Sequence, residues 1–458
     1  EIKQRDRIIT EAIALAEEKQ VPQLISITDA IDQIDPFLFF DQAKNLDGER
    51  VFWSSTADNF YIVGAGEAYL LRKNAERFNQ MDMQWKHVIS NATIYNPFQI
   101  PGTGPIAIGG FSFDPKKQKT ELWKNFQDSQ FRIPAYILTM VDNDYYLTTN
   151  VMVYPQDHPK QILFEVEKNH QVLLQNRSIG LPNGPTISNK REILAEEWKQ
   201  LVSHTTTMID QEQVDKIVLA REMRVTFEEE ASISPILYQL TKTQTNSYVF
   251  AFENGSDCFL GATPERLVRV ENKQLLSTCL AGTAPRGETN ESDREIGLQL
   301  LNDVKNRQEH QFVVEMIQEA VTAYCDDVVV PDTPVLYPLK HLQHLYTPVK
   351  ARLKDGYTII DVVKRLHPTP ALGGYPKEKS LAFIREHEQL DRGWYGAPIG
   401  WIDANENGEF AVAIRSALIQ GDEASLFAGC GVVKDSDPEA EYQETNIKFK
   451  PMLSVLGG

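Results

Sequence analysis

Four short stretches of the chain hold side chains whose types and spacing could do chemistry. Towards the end of the sequence, Glu441, Glu444 and Lys448 are spaced i, i+3 and i+7, which places them on one face of a helix. Two carboxylates on one face repel each other unless a cation or another group neutralises them. A hard divalent ion such as Mg²⁺ takes a few carboxylates and fills its remaining positions with water and substrate oxygens. By itself the spacing also describes a charged outer face. Lys305 and Glu309, in Lys305-Asn306-Arg307-Gln308-Glu309-His310, are four residues apart, and the commoner meaning of that spacing is a solvated ion pair. Lys216 opens the apolar run Lys216-Ile217-Val218-Leu219-Ala220-Arg221. A lysine at the start of a buried strand can snorkel to solvent. Partly desolvated, it can instead give up its proton and act as a general base. Glu265, in Gly261-Ala262-Thr263-Pro264-Glu265-Arg266, puts a carboxylate just past the β-rich Cys258-Phe259-Leu260. It either caps a turn or faces a site at a strand end.

Glycine pairs are weaker signals. Gly64-Ala65-Gly66, Gly102-Thr103-Gly104 and Gly429-Cys430-Gly431 each read G-x-G, but none has a third glycine in register and no G-K-[ST] follows. A nucleotide-binding fingerprint is therefore not expected. Gly429 could still let backbone amides approach an anion closely. Nine histidines and four cysteines show no H-E-x-x-H, finger or C-x-x-C spacing, which argues against a zinc site. Cys258, Cys279, Cys325 and Cys430 lie far apart and read as reduced thiols of a cytoplasmic protein.

The elements that must position these residues follow from periodicity. Residues 5–19 read as an amphipathic helix, with Ile8, Ile9, Ala12, Leu15 and Ala16 at helical spacing. The first third is then strand-like, through Val51-Phe52-Trp53, residues 60–64 and residues 135–141, with turn signals such as Asp142-Asn143-Asp144 between. The stretch 176–185, rich in Gly, Pro and Asn, reads as a connection. Ser188 is expected to cap a helix running to about Met208, carried by Leu194, Trp198, Leu201 and Val202. A capping box at Ser292-Asp293-Arg294-Glu295 is expected to open one long helix through Leu298, Leu301, Val304, Val313, Ile317 and Val321. Residues 409–415 and 425–428 alternate as strands, and a last helix is expected from Pro438 to about Leu456. Strand runs, helices and more strands imply a large α+β domain, with residues 1–180 as a β-rich half of the same domain and 190–455 as the catalytic region.

Composition narrows the classes. With 458 residues, 42% hydrophobic and 24% charged, the chain can bury a sizeable core and is not a disordered or coiled-coil sequence. Lys plus Arg is 46 against 64 for Asp plus Glu, a net charge of -18. Such a surface repels nucleic acid and anionic lipid, and neither is expected as a partner. No run of 18 apolar residues is present and the first residues lack the apolar core of a signal peptide. An anionic substrate would need a pocket locally positive within this acidic protein.

Taken together and in order, these motifs resemble those of the chorismate-utilising enzymes, and within them the menaquinone-type isochorismate synthases. The matching stretches are 216–221, 261–267, Leu280-Ala281-Gly282-Thr283-Ala284-Pro285-Arg286-Gly287, 305–310, Leu366-His367-Pro368-Thr369-Pro370-Ala371-Leu372-Gly373-Gly374, Arg392-Gly393-Trp394-Tyr395-Gly396-Ala397-Pro398 and 441–448. Asn306 stands where the family commonly has Asp. The resemblance implies an anthranilate synthase component I-like fold: a single large chorismate-binding domain, a layered β-sandwich of two halves with helices packed outside. It also implies an isomerase that moves the hydroxyl of chorismate from C4 to C2. Lys216 would activate the attacking water and Glu265 would protonate the leaving hydroxyl. Glu309 and Glu444, with Glu441 near, would hold Mg²⁺. Arg415, Tyr395, Gly429 and Lys448 would meet the substrate, with Gly282, Thr283, Ala371 and His344 lining the pocket.

Sister activities separate on three positions. Anthranilate synthases lack the lysine at 216 and carry Thr at 371; aminodeoxychorismate synthases carry a nucleophilic lysine at 281. This chain has Lys216, Ala281 and Ala371, so water is the expected nucleophile and no glutamine amidotransferase subunit is expected. A salicylate synthase is the second reading, set back by Ala284, where Arg usually follows the Thr. A siderophore-pathway isochorismate synthase and a non-catalytic chorismate-binding subunit are the remaining alternatives, and the expected assembly is a monomer or weak homodimer.

Overall fold

The computed structural model describes residues 2–73, 76–175, 180–211 and 214–458. The expected connection at 176–185 lies partly outside the described residues, and 180–186 carry no regular structure.

Alternation along the strands decides the layers, because successive side chains point to opposite faces. Val51 and Trp53 face one way and Phe52 the other, into different apolar clusters. Among the described residues the strands form two sheets, of thirteen and ten strands. Trp53, Phe250, Phe259, Trp394, Trp401 and Phe427 fill the space between them. Helices Pro36–Gln42, Ile233–Thr243 and Pro438–Val455 cover the outer face of the larger sheet with Phe39, Ile236 and Phe449. Helices Arg77–Ser90, Val304–Thr322 and Ile359–Leu366 cover the smaller sheet. The result is a helix-flanked β-sandwich of α+β class.

The two ends of the chain share both sheets. Strand Arg50–Ser55 pairs with Tyr248–Asn254, and Ile106–Phe111 pairs with Pro398–Asp403. Pairing is antiparallel throughout the described ladders except for Gln23–Ile31 with Thr93–Tyr95.

The expected strands at 51–53, 60–64, 135–141 and 216–221 are present, the last extended to Lys216–Phe227. The first and last helices run Ile2–Lys19 and Pro438–Val455. Two helix expectations are corrected. Ser188 caps no helix: it lies in strand Ile187–Ile193, and its hydroxyl donates to Thr226 O at 3.0 Å. The ladder with Lys216–Phe227 takes up this segment, and the helix begins only at Ala195, after Leu194 turns the chain at φ +49°. The single long helix is two, Asn290–Asn302 and Val304–Thr322. Asp303 is extended, and its carboxylate accepts the Asn306 N–H at 2.7 Å, capping the second helix. Leu298 and Val304, expected on the buried face, are 48% and 68% exposed as a consequence. The capping box belongs to Thr289, with Ser292 as its third helical residue rather than its cap.

Candidate active site

Strand Lys216–Phe227 runs between Ile187–Ile193 and Glu423–Val432 and is joined at its start by Gly374-Tyr375. Arg221, 2% exposed, ties the closing helix to this strand. Its Nε donates to Thr445 Oγ1 at 2.8 Å, its Nη2 to Asn446 Oδ1, and its guanidinium lies 4.3 Å from the Tyr442 ring centroid. The helix thereby holds Glu441, Glu444 and Lys448 against the partner strand Glu423–Val432. Lys448 Nζ donates to Gly429 O at 2.8 Å and to Glu444 Oε1 at 2.6 Å.

Lys216 reaches past Gly431, where an added Cβ would stand 2.5 Å from its Cε. Its Nζ binds the Glu309 carboxylate, on the helix Val304–Thr322. Next to Glu309, buried His310 fixes that helix to the smaller sheet: Nδ1 donates to Ala281 O at 3.0 Å and Nε2 accepts from the Thr347 hydroxyl at 2.7 Å. The spacing of Lys305 and Glu309 therefore named the wrong neighbour for Glu309.

Glu265 sits between strands Asp257–Thr263 and Arg266–Glu271. Burial pushes its carboxyl up to about 7, against the lowering pull of Arg415, Lys448 and Lys216. Burial also raises Glu441, and its neighbour Glu444 adds to the rise. Glu444 ends below its usual range: burial works against ionisation, but Lys448, Arg415 and Lys216 outweigh it. Arg415 is 9% exposed and its backbone is left-handed, at φ +51°. Burial lowers its pKa, with Tyr395, Glu444 and Glu265 acting the other way. The buried Tyr395 hydroxyl would lie 3.2 Å from a Cβ on Gly429, so glycine there leaves it room. Across the site, Gly282 makes a bulge at φ +78° in the strand Gln274–Pro285. Next to it Thr283 Oγ1 meets His344 Nδ1 at 3.0 Å. Burial, with Arg415 and Lys448 near, pushes His344 down to about 3, so it is a neutral imidazole at ordinary pH.

Lys216, Glu265, Glu309, Arg415, Glu444, Lys448 and His344 thus share one electrostatic neighbourhood. Over residues 9–457 the chain matches the family described as "Chorismate binding enzyme". It belongs to the chorismate-binding enzymes. Relatives cover nearly its whole length. It is 43% identical to isochorismate synthase MenF of Bacillus subtilis, over 98% of this chain and 97% of that one. It is 34% identical to the salicylate biosynthesis isochorismate synthase of Pseudomonas aeruginosa, over 98% and 94%. The structure of MenF, the menaquinone-specific isochorismate synthase from Escherichia coli, superposes with a TM-score of 0.80 at 23% identity, over 98% and 100%. That likeness bears out the expected fold.

Ala371 is half-buried. It sits in the loop after the helix Ile359–Leu366, and its side chain packs on the main core. Sequence reasoning missed two supports. Gly431 makes room for Lys216, and only its place in a G-x-G was visible. The buried pair Glu388–Arg392, at 2.6 Å, fixes the lysine strand: Glu388 accepts the Ala220 N–H at 2.8 Å and Arg392 donates to Val218 O at 2.7 Å. Its i,i+4 spacing was the available signal.

Proposed function

We propose that this chorismate-binding enzyme is an isochorismate synthase, an isomerase converting chorismate to isochorismate. The observation that carries the reading is Glu265, a carboxyl raised to about 7 beside three cationic side chains. A carboxyl so poised is half protonated near neutrality and can donate a proton. Water attacks C2, giving its proton to Lys216; Glu265 protonates the C4 hydroxyl, which leaves as water, so one water enters and one departs. Lys216 Nζ is held by Glu309, and that contact must open for the amine to offer its lone pair. Arg415 suits the enolpyruvyl carboxylate, because a guanidinium pairs with a carboxylate through two parallel bonds. Among the described residues no hydrogen bond or ion pair occupies its guanidinium, so it is available to an anion.

A divalent cation fits the donors. Glu309 and Glu444 both lie in the field of Lys216, one by contact and one at longer range, so a positive charge already stands between two carboxylates. Among the described residues no three acidic, His or Cys side chains converge on one point; Mg²⁺ is content with a few carboxylates and fills its other positions with water and substrate oxygens. Mg²⁺ held by Glu309 and Glu444, with Glu441 beside them, would neutralise and position the ring carboxylate.

The full-length likeness to the Bacillus subtilis MenF supports a place in menaquinone biosynthesis. Among the described residues no helix is long and apolar enough to cross a membrane, and we place the enzyme in the cytoplasm, working without an amidotransferase subunit. Chromatography of a mixture of protein, chorismate and Mg²⁺ tests the reading. Isochorismate alone supports it; salicylate with pyruvate, or no turnover, refutes it.

A further inference from the structure

The closing helix Pro438–Val455 packs mainly through its later turns. Its buried side chains are Thr445, Phe449, Pro451, Met452 and Val455, while none of residues 438–444 is fully buried. Those first turns carry Glu441 and Glu444. Pro451 has no N–H to give to Ile447 O, which weakens the tie between the packed end and the turns before it. Core burial therefore fixes the tail of the helix better than the part that aims the two carboxylates.

Arg221 holds that part. Its side chain is 1% exposed, and each of its three nitrogens is engaged. Nε donates to Thr445 Oγ1 and Nη2 to Asn446 Oδ1, both on the helix, and Nη1 donates to Glu192 Oε2 at 3.2 Å. The guanidinium carbon lies 4.3 Å from the Tyr442 ring centroid and 4.9 Å from that of Phe449. Tyr442 is held a second time: its hydroxyl donates to Glu192 at 2.6 Å, and Lys199 Nζ lies 4.5 Å from its ring centroid. With all its nitrogens engaged within the protein, Arg221 is not offered to a substrate.

Tyr442, Thr445 and Phe449 each directly follow Glu441, Glu444 and Lys448 in the chain. The gripped strip therefore lies roughly 100° round the helix from the site strip, and a grip on one sets the aim of the other. A helix with its side chains is about 10–12 Å across, so a turn of about 10° about its axis moves a carboxylate at the rim by roughly 1 Å. A metal site tolerates only about 0.2 Å in its ligand distances.

We propose that Arg221 is a positioning residue for the divalent cation: its grip on Tyr442, Thr445, Asn446 and Phe449 sets the rotation of the closing helix and so aims Glu441 and Glu444. This role rests on the reading that those carboxylates hold the metal. It is exercised through shape, since a lysine would keep the charge but not the planar fork.

Mn²⁺ binding to the full chain without chorismate, read by electron paramagnetic resonance, tests the role beside the KM for Mg²⁺ and kcat in turnover. Arg221→Lys keeps the charge, so a changed affinity reports geometry rather than field. Its Kd for Mn²⁺ and KM for Mg²⁺ should rise about 10-fold or more, the usual cost of losing an outer support of a metal site, while kcat at saturating Mg²⁺ falls far less. A merely structural arginine would lower the melting temperature and the active fraction and leave both constants unmoved. Asn446→Ala removes one acceptor and leaves the buried charge paired with Glu192. It should weaken Mn²⁺ binding about fivefold, the worth of one hydrogen bond, and it carries the test if Arg221→Lys does not fold. Wild-type Mn²⁺ affinity in both variants, with Glu444→Gln weakened, would overturn the role of Arg221 alone. Wild-type affinity in Glu444→Gln would overturn the metal reading and this role with it.

Discussion

Replacing Glu265 by Gln separates two consequences of one carboxyl. Held at about 7 rather than its ordinary 4.5, the group binds its proton more tightly in the folded chain than in the unfolded one. Between those two values the folded state therefore carries more protons, and stability falls as pH rises. Once both states are ionised, the cost to the folded protein is roughly 3 kcal/mol, an order-of-magnitude figure. Gln is isosteric with the neutral acid and does not ionise. The variant should match the wild type in stability below about pH 4.5 and exceed it at pH 8 by up to roughly 3 kcal/mol. Catalysis should move the other way, with kcat down by about 10² to 10⁴ through loss of the general acid. In the wild type, turnover should decline as pH passes 7 and Glu265 loses its proton. Urea melts at pH 4.5 and 8, with isochorismate quantified by chromatography, measure both effects. A Gln variant less stable than wild type at pH 8, or one within tenfold of wild-type kcat, would refute the reasoning.

Lys216→Ala should abolish turnover with an unchanged far-ultraviolet circular dichroism spectrum; residual turnover near the wild-type rate would remove Lys216 as base. Gly431→Ala sets a Cβ 2.5 Å from Lys216 Cε and should displace the amine, lowering kcat at least tenfold while melting cooperatively. A fully active variant would show that Lys216 can work from another position. Arg415→Ala should raise KM for chorismate about 10- to 100-fold, as expected for a lost charge-assisted pair, and an unchanged KM would exclude contact with the substrate. Chelation of Mg²⁺ should eliminate chorismate binding in calorimetry; affinity unaffected by the chelator would detach the carboxylates from metal binding.

The legible parts were those with local causes. The last helix, expected from Pro438 with Glu441, Glu444 and Lys448 on one face, is present, and the structure caps it with Asp437, which accepts the Ala440 N–H at 2.8 Å. The strand at Lys216 was readable because both its faces are apolar. Signals failed where a distant contact decided the matter. Glu309 pairs with a lysine 93 residues away, which no helix spacing reveals. Ser188 looked like a cap because the strand that claims its segment lies beyond the intervening helix Ala195–Asp210. The break at Asp303 was within reach, since Asp is a favoured N-cap residue, but the helical spacing of Leu298, Leu301 and Val304 across it outweighed that sign. Leu194 adopts a left-handed turn that its residue type disfavours, so only the structure could place it.

The sharing of both sheets between the two ends of the chain sets an order of events during synthesis. Strand Arg50–Ser55 waits for Tyr248–Asn254, and Ile106–Phe111 waits for Pro398–Asp403. Until those later residues leave the ribosome, the early strands present open edges and apolar faces such as those of Trp53 and Ile108. Long-range antiparallel pairing of this kind is slow and invites misassociation with other chains. The nascent first half is therefore the stage at which this enzyme most needs protection, and a fragment ending before Tyr248 would be a sticky body rather than a small domain.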